Sequence, residues 1–136
     1  MKRKGLSPTA EFITIDLDVR SQRSLKPLLE AWSDVHVQTP GHTGKGSPRW
    51  LLRMSYSSAV TADAIAMEFV ELVEKLPKSA RRCWDQASKR TWDIGIQAGL
   101  APQSFEEITL ETETLHAIAR VGGRVQMTLR APHREW

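Results

Sequence analysis

Cysteine is nearly absent from this chain: Cys83 stands alone among 136 residues. No internal disulfide can form, nor a zinc site built from several cysteines, so a reducing compartment is expected, namely the cytoplasm. Long apolar runs are missing too. None approaches the ~20 residues needed to cross a bilayer, so no membrane association is expected. Met1-Lys2-Arg3-Lys4 is basic, like the start of a secretory leader. Gly5-Leu6-Ser7-Pro8-Thr9 then follows where an apolar segment would be required, so no such leader is expected.

A surplus of one charge is also lacking over most of the sequence. The formal net charge is +3, from 19 Lys and Arg against 16 Asp and Glu. Lys2, Arg3 and Lys4 account for that surplus, and without them 16 basic residues face 16 acidic ones. A protein that binds nucleic acid through phosphates needs a net basic face to displace counterions, and a short tail is a poor substitute. What is present is the mix of a soluble globular domain, 40% hydrophobic and 26% charged. At this length one core is expected. Residues 1–10 read as a mobile basic tail, 11–131 as a single α+β domain, and 132–136 as a C-terminal tail.

Strict alternation from Phe12 to Arg20 marks a half-buried strand, with Ile13, Ile15, Leu17 and Val19 inward and Thr14, Asp16, Asp18 and Arg20 outward. Ser24 is placed to cap a helix with the stripe Leu25, Leu28, Leu29, Trp32, and Pro27 falls in its first turn. Val35–Thr39 and Arg49–Tyr56 read as strands joined by the Gly- and Pro-rich stretch PGHTGKGSP. Thr61 should cap a helix carrying Ile65, Phe69, Leu72, Val73 and Leu76, which Pro77 ends. Ser79 is expected to cap a short helix through Ser88. RTWDIGIQAG follows as a strand with Trp92, Ile94 and Ile96 on one side, and Phe105–Leu110 as a further strand. Thr112 is expected to cap a helix ending at Gly122-Gly123, before a last strand, Arg124–Arg130, with Val125, Met127 and Leu129 inward.

This order predicts an α+β two-layer sandwich: a ferredoxin-like βαββαβ core with a C-terminal βαβ extension, and helices on one face of a mostly antiparallel sheet. The other face should be open and polar.

Four chemistries are worth testing against that frame. Asp16, Asp18 and Asp93 fall on the polar side of neighbouring strands, where carboxylates can hold metal ions for phosphoryl transfer or nuclease chemistry. The same side carries Arg20, Arg53, Arg124 and Arg130, which favours a lattice of cross-strand ion pairs over a metal site. GHTGKGS lacks the first glycine, the Ser or Thr after lysine and the following helix of a phosphate-binding loop. Lys78, Arg81, Arg82, Lys89 and Arg90 interleave with Trp84 and Trp92, a pattern able to stack single-stranded nucleic acid. Cys83 has no histidine nearby in sequence to activate it, and His36, His42, His116 and His133 lack metal-ligand spacing.

The ending ETLHAIARVGGRVQMTLR, a helix of pattern L-x-x-I-A-x-x-G-G followed by an alternating strand, resembles the C-terminal signature of a family of small bacterial proteins carried as a domain of unknown function. The resemblance implies a bacterial cytoplasmic protein and no particular chemistry. By exclusion, a non-enzymatic protein-binding domain of immunity or adaptor type is expected. It would act through Asp16, Asp18, Arg53, Asp93, Arg124 and Arg130 as monomer or homodimer, with an unidentified protein as partner and without cofactor, metal or catalytic residue. The alternatives are a metal-dependent phosphoryl transferase or nuclease using Asp16, Asp18 and Asp93, and a weak single-stranded nucleic-acid binder using the basic cluster.

Overall fold

In the computed structural model, which describes residues 11–33, 37–42, 50–55, 61–97 and 107–130, the alternating segment forms the central strand β1 (Glu11–Ser21). Its side chains follow the period of two: Ile15, Leu17 and Val19 are fully buried, while Asp16 and Arg20 stay half-exposed. Helix α1 (Lys26–Ala31) follows, then β2 (Val37–His42) and β3 (Trp50–Ser55), helices α2 (Ala62–Glu74) and α3 (Lys78–Gln86), strand β4 (Lys89–Gln97), helix α4 (Thr112–Arg120) and β5 (Arg124–Arg130).

The strands make one sheet in the order β2-β3-β1-β4-β5. β1 is antiparallel to both β3 and β4, β2 is antiparallel to β3, and β5 runs parallel to β4. Helix α4 supplies the crossover that a parallel pair requires. Inward residues of β1, β3 and β4 and buried residues of all four helices belong to one hydrophobic core. The helices therefore share one face of the sheet, as their alternating partners require.

Three tryptophans organise that core. Trp84 meets Trp32 and Trp92 edge to face, with ring centroids 6.3 and 5.9 Å apart. The buried indole N–H groups are satisfied by backbone: Trp84 Nε1 donates to the Val121 carbonyl at 2.8 Å and Trp92 Nε1 to that of Ala66 at 3.0 Å. Thr61 caps α2 as expected, its hydroxyl accepting from the Ala64 N–H. Helix α4 ends where glycine is needed: Gly122 has φ +81°, and the N–H groups of Gly122 and Gly123 return to the carbonyls of Ala119 and Ile118.

Several expectations fail. The N-caps of α1, α3 and α4 are Leu25, Pro77 and Glu111, without side-chain caps, rather than Ser24, Ser79 and Thr112. Ser24 accepts instead from the Lys26 N–H, and the Glu111 N–H is held by Asp63 of α2 at 2.8 Å. A tertiary carboxylate thus does what a local cap was expected to do. Of the expected strand Phe105–Leu110, the described residues 107–110 are irregular rather than extended in a sheet, and among the described residues the C-terminal extension is built as α4 and β5 on β4 itself. Ile108 and Leu110 pack against the core from irregular chain, which produces the alternation that resembled a strand. Val125, Met127 and Leu129 are exposed rather than inward, because β5 lies at the sheet edge beyond the helices' cover. The two tails, His36, His133 and positions 43–49 of the glycine-rich loop lie outside the described residues.

Candidate functional site

The sheet face opposite the core carries the polar register of β1, β3, β4 and β5. Asp16 of β1 lies directly across from Ser55 of β3 and from Asp93 of β4, and Asp18 across from Arg53 and Thr91. On β5, Arg124 is in register with Thr91, Gln126 with Asp93 and Arg130 with Gln97. Four of the six expected partner-binding residues, Asp16, Asp18, Arg53 and Asp93, are thus gathered by the three inner strands. Arg124 and Arg130 stand at the two ends of the edge strand.

Asp18 is the anchor of this surface and not an exposed member of it. Only 7% of the residue is accessible, because Arg20 and Arg53 lie against it, donating at 3.2 and 3.0 Å to its two oxygens. The Asp18 hydrogen bond raises the Arg53 guanidinium above its ordinary pKa; partial burial opposes the shift, and the nearby charges of Asp18, Asp16 and Asp93 add to it. Asp16 accepts from the Ser55 hydroxyl, and Asp93 from that of Thr128 at 2.7 Å. Arg124 donates to Thr91 Oγ1 at 2.9 Å and to Gln126 at 3.4 Å. Between these groups lies a polar depression of about 200 Å³, lined by Asp18 and Arg20 of β1, by Lys89, Thr91 and Asp93 of β4, and by Arg124 and Gln126 of β5.

The three aspartates proposed for metal chemistry do come together, and Asp16 faces Asp93 directly. Each of them, however, already accepts from arginine or hydroxyl donors. Among the described residues no group of three His, Cys, Asp or Glu is arranged to hold a metal ion.

The chain matches no family model, no curated protein and no solved structure.

The basic cluster expected around α3 is dispersed by the fold. Arg90 is a structural clamp: its guanidinium donates to the carbonyls of Trp84, Asp85, Ala87 and Gly122 at 2.9–3.0 Å, tying the end of α3 to the end of α4. Arg81 pairs with Asp85 one turn along. Lys89 borders the open sheet face, while Arg82 lines a separate groove of about 450 Å³ between α1 and α3, and Lys78 is exposed at the start of α3. Both Trp84 and Trp92 are fully buried, so neither offers a ring for stacking.

Cys83 lines the α1–α3 groove, its thiol donating to the Ser24 carbonyl at 3.4 Å. Burial pushes its pKa up, and a hydrogen bond received from the Leu28 backbone opposes the shift. A nucleophile needs the opposite shift. His116 is exposed on α4. The features missed from sequence are the Arg90 clamp and the exposed edge of β5. The clamp left no signal in residue type, because its acceptors are backbone carbonyls, three at the end of α3 and one, Gly122, brought in by tertiary packing.

Proposed function

We propose that the protein is a binding module of immunity or adaptor type that engages a protein partner through its open sheet face. The observation that supports this is the mixed-charge surface of Asp16, Asp18, Arg20, Arg53 and Asp93, in which Asp18 pairs with both arginines while Asp16 and Asp93 are held by the hydroxyls of Ser55 and Thr128, so that it is pre-organised. A surface held in place before binding loses little side-chain entropy on association, and fixed charges of both signs give specificity of register. Among the described residues, the depression on this face is small and polar, unlike the larger apolar pockets that small-molecule sites use.

The segment β2-β3-β1-β4 keeps antiparallel neighbours throughout, which supports a ferredoxin-like βαββαβ core; the sheet departs from a four-stranded one by β5 added beyond β4. No helix among the described residues is long and apolar enough to cross a membrane. The free Cys83 fits a cytoplasmic setting, and the C-terminal resemblance fits a small bacterial protein.

The test is capture from the native host followed by mass-spectrometric identification and a measured affinity for the protein found. Asp16→Lys with Lys89→Glu reverses two charges of the face and relieves the Asp16–Asp93 opposition, so the fold is retained. Affinity should fall at least tenfold, about 1.4 kcal/mol. Undiminished binding by the folded variant refutes the assignment. A saturable magnesium or manganese site lost in Asp16→Asn would refute it in favour of phosphoryl transfer or nuclease chemistry.

A further inference from the structure

Among the described residues, the large apolar side chains left exposed are Leu115, Val125, Met127 and Leu129, at 45, 37, 69 and 68%. All four lie on the last helix–strand unit. Val125, Met127 and Leu129 are in register with Trp92, Ile94 and Ile96, so they continue the core face of the sheet one strand past its helical cover. On α4, Thr114, Ala117 and Ile118 are buried and Arg120 reaches Glu74 of α2 at 3.3 Å. At 100° per residue, Leu115 falls on the flank opposite Arg120, turned away from α2. The exposed apolar side chains therefore lie on two consecutive elements, a strand at the sheet edge and the outer flank of the helix before it.

The two edges of the sheet are treated differently. β2 contains Pro40 and a register shift between Gln38 and Gly41, devices that discourage further pairing. β5 contains no proline, and its pairing with β4 runs without a shift from Arg124 to Arg130. Among the described residues no strand pairs with the outer side of β5, and such an edge with three exposed apolar side chains is a template for another strand.

We propose that β5 pairs antiparallel with β5 of a second copy across a two-fold axis, joining two five-stranded sheets into one, with the α4 flanks meeting above the junction. The occupant has to bring both an alternating strand and an apolar helix flank, and this chain carries that combination. The strand Arg-Val-Gln-Met-Thr-Leu-Arg alternates apolar and polar residues along its length, so a copy laid antiparallel across a two-fold axis sets apolar against apolar and polar against polar.

A dyad normal to the sheet keeps each residue on its face, so only registers centred on a residue are allowed. Centring on Met127 would set Arg124 against the partner's Arg130 twice, which like charges disfavour. Centring on Gln126 sets Val125 against the partner's Met127, Gln126 against the partner's Gln126, and Arg124 against the partner's Thr128. Since Thr128 donates to Asp93, this second register carries the partner's Arg124 to the Asp93 carboxylate, twice over by symmetry. The four apolar side chains expose on the order of 400 Å² per copy, at the scale of a functional patch. That is about half of the ~800 Å² per partner typical of a stable interface, and strand backbone and flanking polar groups supply the rest. The dimer engages Arg124 and Asp93 at the margin of the open face, but its apolar strip lies on the opposite face, so it holds whether or not the open face binds a protein.

Sedimentation equilibrium on the full chain tests it. The expected mass is twice the 15.3 kDa of one chain, returning to 15.3 kDa in Met127→Glu with Leu129→Glu while circular dichroism is unchanged. In a Cys83→Ser background, mild oxidation should cross-link Gln126→Cys into dimers and leave Met127→Cys uncoupled, because only the first pair lies directly across the dyad. A wild-type mass of 15.3 kDa up to high micromolar concentration, which would leave the strip to a foreign strand, overturns the proposal. So does a dimer that survives the double glutamate variant, or cross-linking through Met127→Cys in place of Gln126→Cys.

Discussion

Replacing Gly123 by alanine should be among the most damaging single-methyl changes in the molecule. A Cβ built there lies 2.2 Å from Trp92 Cζ3, 2.7 Å from Cε3 and 2.9 Å from Ile118 Cγ2. Ordinary carbon contacts are ~3.5–4.0 Å, so the indole has to move by more than about 1 Å. It has nowhere to go, being fully buried, edge to face with Trp84 and hydrogen-bonded to the Ala66 carbonyl. Displacement forfeits most of that hydrogen bond, about 1 kcal/mol, and weakens the aromatic pair by roughly 0.5–1 kcal/mol. Overpacking strain adds about 1–3 kcal/mol, which puts the total near 3 kcal/mol. With an unfolding entropy of about 2.1 cal/mol/K per residue over the chain's length, Tm should fall by roughly 10 °C. Urea unfolding followed by tryptophan fluorescence measures the change directly. Gly122→Ala makes the comparison: its φ of +81° predicts about 1 kcal/mol of backbone strain, and its nearest neighbour is the Arg90 guanidinium at 3.0 Å rather than a buried ring. A Gly123→Ala protein within about 0.5 kcal/mol of wild type would refute the packing of the α4–β5 turn on Trp92.

Arg90→Met should cost about 2 kcal/mol in urea unfolding, since it leaves four carbonyls at the ends of α3 and α4 without their donor; a loss below about 0.5 kcal/mol would mean that water replaces the clamp. Arg53→Glu should destabilise by about 1–2 kcal/mol, because it sets a second carboxylate beside the nearly buried Asp18, whereas Asp16→Lys should be neutral or slightly stabilising; equal effects in thermal melts would contradict the pairing described. Cys83 should alkylate more slowly than a free thiol at pH 8, since a raised pKa lowers the thiolate fraction there, and the rate should keep climbing at pH values where a free thiol has levelled off; faster-than-free alkylation by iodoacetamide would reverse the sign of the shift.

Elements with a strong internal period were legible in the sequence. The alternation in β1 and β4 and the 3.6-residue stripe of α2 each specify which side chains turn inward, because chain geometry alone sets the spacing. The Gly122-Gly123 terminus was legible for the same reason: a left-handed residue after a helix asks for glycine locally. The polar face could also be anticipated, since Asp16, Asp18, Arg53 and Asp93 take the outward register of strands whose other register is apolar.

Tertiary structure decided what period cannot encode. Alternation in β5 says that Val125, Met127 and Leu129 share a face, but only the strand's position at the sheet edge decides whether helices reach that face, and they do not. Ile108 and Leu110 alternate like a strand, yet β5 already takes the place beside β4, so they pack as irregular chain. Asp18 and Asp16 are indistinguishable in sequence; the cross-strand neighbours Arg53 and Ser55 make the first a buried anchor and leave the second half-exposed. Arg90 looked like part of a basic surface until the ends of two helices closed around its guanidinium. In each instance a residue's own segment sets its direction, while its environment is completed by other elements of the fold, such as Arg53 for Asp18 and Gly122 for Arg90, whose positions follow from strand order and helix packing.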